Sequence, residues 1–303
     1  MGRVHIGTKR TRIAAIMLAA VMLIAIIVAA VIVATGSASS GKVKSTAANT
    51  EEAVGEAPSS PTQPSPNSDS SPSSASTSSP SPVDTLGGYP IYGAQLSTAM
   101  PALAQEAQLN LARSLVERTP DDPLSLGALD APVVMVQFSD FSCPMCSKFM
   151  NDSFPALQKY VEDGTLRIEY HDFVIFEQYH SDLAAQAAWA AGQQGRFWEF
   201  VVAASQRSLN EHWVWDSQSL TAAAQEAGIP DMNQFEEDRS SDEAASSVQE
   251  NTELALHVGF SGTPAFVINN RVVSGAVPAS VFEATVEAAL ADVVTGRFSG
   301  NNK

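Results

Sequence analysis

A continuous apolar run, Val133-Val134-Met135-Val136, is followed seven positions later by Cys143-Pro144-Met145-Cys146. A β-branched run with no polar alternation reads as a central strand buried on both faces. Met150, Phe154, Leu157 and Val161 then recur at helical spacing, so a helix follows the cysteine pair. Pro155 lies inside that pattern and is expected to kink it, because proline lacks the N–H that the preceding turn needs. Gly164 closes the helix, and Leu166-Arg167-Ile168-Glu169-Tyr170 alternates apolar and polar like a strand. Strand, helix and strand of these lengths form a βαβ unit, whose two strands run parallel.

The pattern changes twice more. Residues 180–258 read as an almost wholly helical block, cut by Gly, Pro and Asn breaks. After it, Pro264 to Ile268 reads as a strand, Asn269-Asn270 as a two-residue turn that tolerates positive φ, and Arg271-Val272-Val273 as the return strand. Phe282, Val286, Ala289, Leu290 and Val293 place one apolar stripe on a terminal helix. The order β, α, β, helical block, β, β, α is that of an α/β thioredoxin-like fold. Its helical insertion, about 178–258, separates the βαβ unit from the hairpin.

Cys143 and Cys146 are the only cysteines in 303 residues. A disulfide-stapled secreted scaffold carries more. A structural zinc site needs four ligands, and none of the five histidines lies near the pair in sequence, so neither a metal nor a cofactor is expected. The net charge of −16, with no basic patch, argues against nucleic-acid binding, since phosphates repel such a surface. No Gly-rich phosphate loop or serine elbow appears.

A CxxC opening a helix directly after a buried strand is the arrangement that dithiol redox chemistry needs. At a helix N-terminus, unpaired N–H groups and the positive end of the dipole stabilise a thiolate and lower its pKa from ~8.5. Cys146, one turn further in, is placed to resolve a mixed disulfide. Pro144 suits the first helical turn, where its missing N–H costs nothing. A second signal is Ser261-Gly262-Thr263-Pro264, just before the hairpin strand. A proline there is often cis, and the free backbone edge of Thr263 can pair with an extended substrate.

Organisation upstream is read from composition. Residues 1–12 are basic, and residues 13–35 carry no charge over a length able to cross a bilayer ~30 Å thick. They read as a transmembrane signal-anchor with the basic flank cytoplasmic and the rest of the chain outside. A cleaved signal peptide is the rival, although its apolar region is normally only ~7–15 residues. Residues 36–90 are rich in Ser and Pro and are expected to be a disordered or extended linker. At ~3.1 Å per residue it could hold a domain tens of ångströms from the membrane, as a spacer through a cell wall would. Residues 91–123 form a helical extension, with a helix expected over about 98–118 from Leu103, Ala107, Leu111 and Leu115. The domain itself spans 124–295, and 296–303 form a tail.

Three stretches, DAPVVMVQFSDFSCPMCSKF, AAQAAWAAGQQGRFWEF and GFSGTPAFVINNRVVSGAVPASVFE, resemble the DsbA-like thioredoxin family. The likeness is to its membrane-anchored extracytoplasmic members of Gram-positive, actinobacterial type. It implies a thiol:disulfide oxidoreductase acting on reduced secreted proteins, most readily as an oxidase. A membrane quinone-linked partner, DsbB-like or VKOR-like, would then reoxidise it. Carried over by position, Cys143 is the exposed nucleophile, Cys146 the resolving thiol, Pro264 the cis-proline, and Thr263 the residue before it.

Two positions depart from the family. A buried acid usually stands six residues before the first cysteine and handles the inner thiol's proton. Here it is Gln137, which cannot take one, so either Glu169 on the next strand or solvent substitutes, or proton transfer is slower. Asp140 is nearer, but strand alternation does not obviously aim it inward. Between the cysteines the strongest oxidases carry a histidine that donates to the thiolate. Met145 cannot donate, which implies a weaker oxidant. A reductase or isomerase, and more remotely a binding module with a structural disulfide, remain as alternatives. His171-Asp172 reads as a strand-end polar pair. His212 reads as packing, and Trp189, Phe197, Trp198 and Phe200 as the core of the insertion, able in part to border a groove beside the dithiol.

Overall fold

The computed structural model describes residues 81–299. The basic N-terminus, the expected anchor and most of the linker lie outside the described residues. Among those described, no helix is long and apolar enough to cross a membrane.

In chain order, a hairpin pairs β1 (Asp84–Leu86) with β2 (Tyr89–Ile91), and helix α1 (Glu106–Ser114) leads into a short strand β3 (Ser125–Leu126). The core unit follows as β4 (Val133–Ser139), α2 (Pro144–Asp152), α3 (Phe154–Glu162) and β5 (Leu166–Asp172). The insertion holds α4 (Ser181–Gln193), α5 (Phe197–Ser205), α6 (Ser217–Glu226), α7 (Met232–Asp238) and α8 (Asp242–Val258). The chain then returns as β6 (Ala265–Ile268), β7 (Arg271–Ser274) and α9 (Ala279–Val294). The five-stranded sheet has the order β3-β5-β4-β6-β7, with β4 parallel to β5 and antiparallel to β6. This is the expected thioredoxin-like arrangement, and every residue of β4 is buried, as its apolar run required.

Because side chains alternate across a strand, each face of the sheet collects its own set. Met135 of β4 joins Ile168 and Tyr170 of β5 and Phe266 of β6 in a core with α2, α3, α9 and the insertion. Phe149 of α2 lies 4.5 Å, ring to ring, from Phe266 and 5.0 Å from Phe282 of α9. Truncating such a buried aromatic costs ~3–5 kcal/mol. Val134, Val136 and Phe138 face the other way, against α1 and the C-terminal end of α8.

Three upstream or helical expectations are corrected. The linker does not run to residue 90. Gly87 and Gly88, at φ of 59° and 89°, make a tight turn, and Leu86, Tyr89 and Ile91 pack on the core. The helix expected over 98–118 is confined to α1, since the chain before it is extended along β7. There Leu103 N–H donates to Asn270 carbonyl at 2.8 Å, and Ala102 bridges Arg271. Within α1 Ala112 is buried, as are Leu115 and Val116 just past its end, whereas Leu111 is 38 % exposed. Pro155 does more than kink its helix. The chain breaks at Ser153 into α2 and α3, with Phe154 and Pro155 opening the second, and Ser153 Oγ donates to Val277 carbonyl. The Asn269-Asn270 turn is as expected, with Asn269 at φ 49°.

Candidate active site

β4 ends at Ser139, and the next four residues turn the chain into α2. Cys143 is the N-cap, in extended conformation at φ −85° and ψ 116°, with Pro144 just inside the helix. Its carbonyl accepts from Cys146 N–H at 3.0 Å and Ser147 N–H at 3.1 Å. Both cysteines are free thiols. The loop before β6 closes over them. The Thr263–Pro264 bond is cis, and Cys143 Sγ lies 3.5 Å from the Thr263 carbonyl oxygen.

The environment separates the two sulfurs. The Cys146 thiol donates to Cys143, and this is the main reason the Cys143 pKa falls to about 6, against the opposing effect of burial. The Thr263 hydroxyl and the N–H groups of Cys146 and Met145 lower it further. Cys146 is pushed well above the usual value, by burial first and then by its bond to Cys143 and the negative charge there. The thiol that the family likeness makes exposed is in fact covered. Cys143 retains 3 % exposure, because the Thr263 loop closes on it, so charge rather than exposure distinguishes the pair.

The surrounding loop is held by groups from afar. Asp140 Oδ1 accepts from Ser142 N–H at 2.7 Å. Its Oδ2 accepts from Ile175 N–H, Phe176 N–H and Ser181 Oγ at 2.9–3.0 Å. Burial raises the Asp140 pKa, and these donors oppose the rise. The insertion grips the other side. Ser142 Oγ donates to Trp213 carbonyl, and Ser208 Oγ to Phe141 carbonyl. His212 Nδ1 lies 2.8 Å from Ser142 carbonyl, which puts a proton on Nδ1. His212 stacks on Tyr179, so it is packing, as expected, and it also steadies the residue before Cys143.

Gln137 lies on the face that carries α2, in register with Tyr170 and Phe266. It is 0 % exposed, and neither Oε1 nor Nε2 has a partner. Met145 is 44 % exposed. Glu169 does not substitute for the missing acid. It pairs with Val136 and so points to the opposite face of the sheet. There it accepts from Glu117 N–H, Arg118 N–H and Arg167 Nε, fixing the turn after α1.

The carboxylate that does share a face with Tyr170 is Asp172, in register with Ser139. It is 1 % exposed, and its Oδ1 has no partner. Burial, and then the charge of Asp140, raise its pKa to about 7, with a hydrogen bond from Asn251 opposing. The His171-Asp172 pair closes β5, as expected of a strand-end polar pair, and it is buried there, with His171 Nδ1 2.9 Å from Asn251 Oδ1. Sequence reading weighed Asp140 and the His171-Asp172 pair and set both aside, because register and burial decide their roles. Among the described residues no group of three or more His, Cys, Asp or Glu is placed to hold a metal ion.

The family model described as Thioredoxin matches residues 119–288, more than half of the chain. The chain belongs to this thioredoxin family. "Probable disulfide bond formation protein D" of Bacillus anthracis is 29 % identical over 153 residues, covering 49 % of this chain and 70 % of that protein. The crystal structure of oxidised BdbD from Bacillus subtilis aligns at 26 % identity and a TM-score of 0.50, covering 56 % of this chain and 93 % of that one. Wolbachia pipientis alpha-DsbA1 shares the fold, at 19 % identity and a TM-score of 0.54, over 61 % of this chain and 99 % of that one. Within the thioredoxin family this is a DsbA-like member, a thiol:disulfide oxidoreductase.

Proposed function

We propose that the protein is an extracytoplasmic oxidase that introduces disulfides into secreted proteins. The observation that carries this reading is the asymmetry of the pair, with Cys143 drawn down to about 6 and Cys146 pushed up. A thiolate stabilised in the reduced form makes its disulfide easier to give away. In the oxidised protein, a client thiolate attacks Cys143 Sγ, and Cys146 leaves. A second client thiolate then attacks the client sulfur of the mixed disulfide, and Cys143 leaves as thiolate. The groove of about 430 Å³ lined by Phe260, Ser261, Gly262, Thr263, Pro264 and Gly275 is where the client backbone would lie, paired to the Thr263 edge.

The apolar segment at 13–35 supports a membrane tether and the Ser/Pro-rich linker a spacer beyond it, which puts the dithiol among newly secreted chains. The names of the Bacillus relatives support disulfide formation. A quinone-linked membrane protein, DsbB-like or VKOR-like, would return the dithiol to the disulfide. Met145, whose side chain has no donor for the thiolate, favours a second reading as a reductase or isomerase.

The reduction potential against glutathione separates these readings. A value well above ~−200 mV supports the oxidase, and one near ~−270 mV sinks it. Replacing Cys146 by Ala should trap mixed disulfides between Cys143 and secreted proteins. The absence of any trapped species would leave a non-catalytic domain with a structural disulfide.

A further inference from the structure

Each turn of the proposed cycle moves a proton on or off Cys146, yet the position from which the family's buried acid would do this is Gln137. The groups that touch Cys146 are few. Asp140 N–H lies 3.5 Å from its Sγ. The Ser139 hydroxyl hydrogen-bonds toward both Cys146 and Tyr170. A cavity of about 10 Å³, close to the least that holds one water, is bordered by Cys146, Ser139, Asp140, Tyr170 and Ser205. Next to Ser139 on the neighbouring strand stands Asp172.

The two nearby carboxylates differ in how they are occupied. Both oxygens of Asp140 are taken, by three N–H groups and a hydroxyl. Asp172 keeps Oδ1 without a partner in a fully buried site. An unpartnered buried carboxyl oxygen is costly unless it carries a proton or exchanges one. Two titratable groups driven to different protonation states by their surroundings are the usual mark of an acid–base assignment.

We propose that Asp172 is the proton reservoir for Cys146, reached through Ser139, its register partner on the neighbouring strand. This rests on the cysteine roles given above. When the Cys143–Cys146 bond breaks, its electron pair leaves on Cys146. The Ser139 hydroxyl gives its proton to that sulfur and is reprotonated from the Asp172 carboxyl beside it. Asp172 becomes a carboxylate and recovers a proton from solvent. Of the two protons released by the client thiols, one is thus balanced on Cys146 and one stays in solution, since Cys143 remains a thiolate. The client loses two electrons and the disulfide gains them. On reoxidation the path reverses, and Asp172 takes the proton as Cys146 attacks.

The groups around Asp172 are Asp140 from the loop after β4, Cys146 of α2 beyond Tyr170, and His171 beside it on β5. α8 presents the neutral Asn251, which bridges His171 and Asp172, and Ser181 of α4 is committed to Asp140.

The test is the rate at which Cys146 closes a preformed mixed disulfide between Cys143 and glutathione, followed against pH in the full chain. The expected profile rises through an inflection near pH 7 as Asp172 ionises. Asp172→Asn should abolish that inflection and slow closure at least ~10-fold at pH 8, while glutathionylation of Cys143 itself keeps its rate. Ser139→Ala should slow closure with Asp172 intact, and it decides the matter if Asp172→Asn does not fold. A folded Asp172→Asn protein that keeps the inflection and the rate, or a Ser139→Ala protein with unchanged closure, would overturn the proposal. If Cys146→Ala also traps no client, the cysteine roles fail and this proposal fails with them. If it traps clients and Asp172→Asn has no effect, this proposal fails alone.

Discussion

Cys143 and Thr263 are 120 positions apart in the chain, yet Cys143 Sγ sits 3.5 Å from the Thr263 carbonyl oxygen. A protonated sulfur donates to that carbonyl, whereas an ionised one meets its lone pairs. The Thr263 hydroxyl, buried and without another partner, is the group that then faces the thiolate. The residue before the cis-proline therefore has two parts to play, a backbone edge for clients and a side chain for the sulfur.

Thr263→Val keeps the shape and removes that hydroxyl. The Cys143 titration, read by thiolate absorbance, should move upward from about 6 by roughly one pH unit, the scale of one hydrogen bond to a charge. An unmoved midpoint would leave the helix N–H groups and Cys146 as the whole source of the low value.

The stability of the reduced protein should depend on pH in a definite window. Cys143 is depressed from ~8.5 to about 6, so its contribution is complete above ~8.5 and lost as pH falls through about 6. Cys146 is raised, so its contribution holds below ~8.5 and is lost as pH rises beyond it. The excess of the reduced over the oxidised melting temperature should therefore peak near pH ~8 and shrink on both sides. Paired calorimetric scans from pH 5 to 9 would show it, and a difference independent of pH would contradict the site's electrostatics.

Asp140→Ala strips the shared acceptor from Ser142, Ile175, Phe176 and Ser181. Buried donors left unpaired cost ~1–3 kcal/mol each, so urea unfolding should show a loss of at least ~3 kcal/mol. Hydrogen exchange should speed up most at residues 173–181.

Glu169→Gln tests the placement of that residue on the far face. Loss of the buried pair with Arg167 should destabilise the fold by roughly 3–5 kcal/mol. The pH profile of dithiol exchange should be unchanged. A profile that shifts in this variant would return Glu169 to the proton path.

Much of the site was legible because its signals are local. Cys143 and Cys146 follow an apolar strand and open a helix, and Pro264 opens a strand before an Asn-Asn turn, so each could be read from a dozen neighbours. Glu169 was misread because choosing a face needs the register of β4 against β5, and a one-residue difference in register reverses it. The β1–β2 hairpin was hidden inside Ser/Pro-rich composition, although Gly87-Gly88 between Leu86 and Tyr89 was a usable turn signal. The shortened helix at Glu106–Ser114 was not legible, because the preceding residues are drawn into extended pairing along β7.

Local order, then, was written in the chain itself. Periodicity set strands and helices, and the spacing of Cys143, Cys146 and Thr263-Pro264 declared dithiol chemistry. The three-dimensional fold alone decided which acids lie behind the inner sulfur, and it made Asp172 rather than Glu169 the neighbour of Tyr170. It also drew the two thiols apart in acidity. Those outcomes depend on burial and on contacts between residues far apart in sequence, which the pattern of nearby residues does not encode.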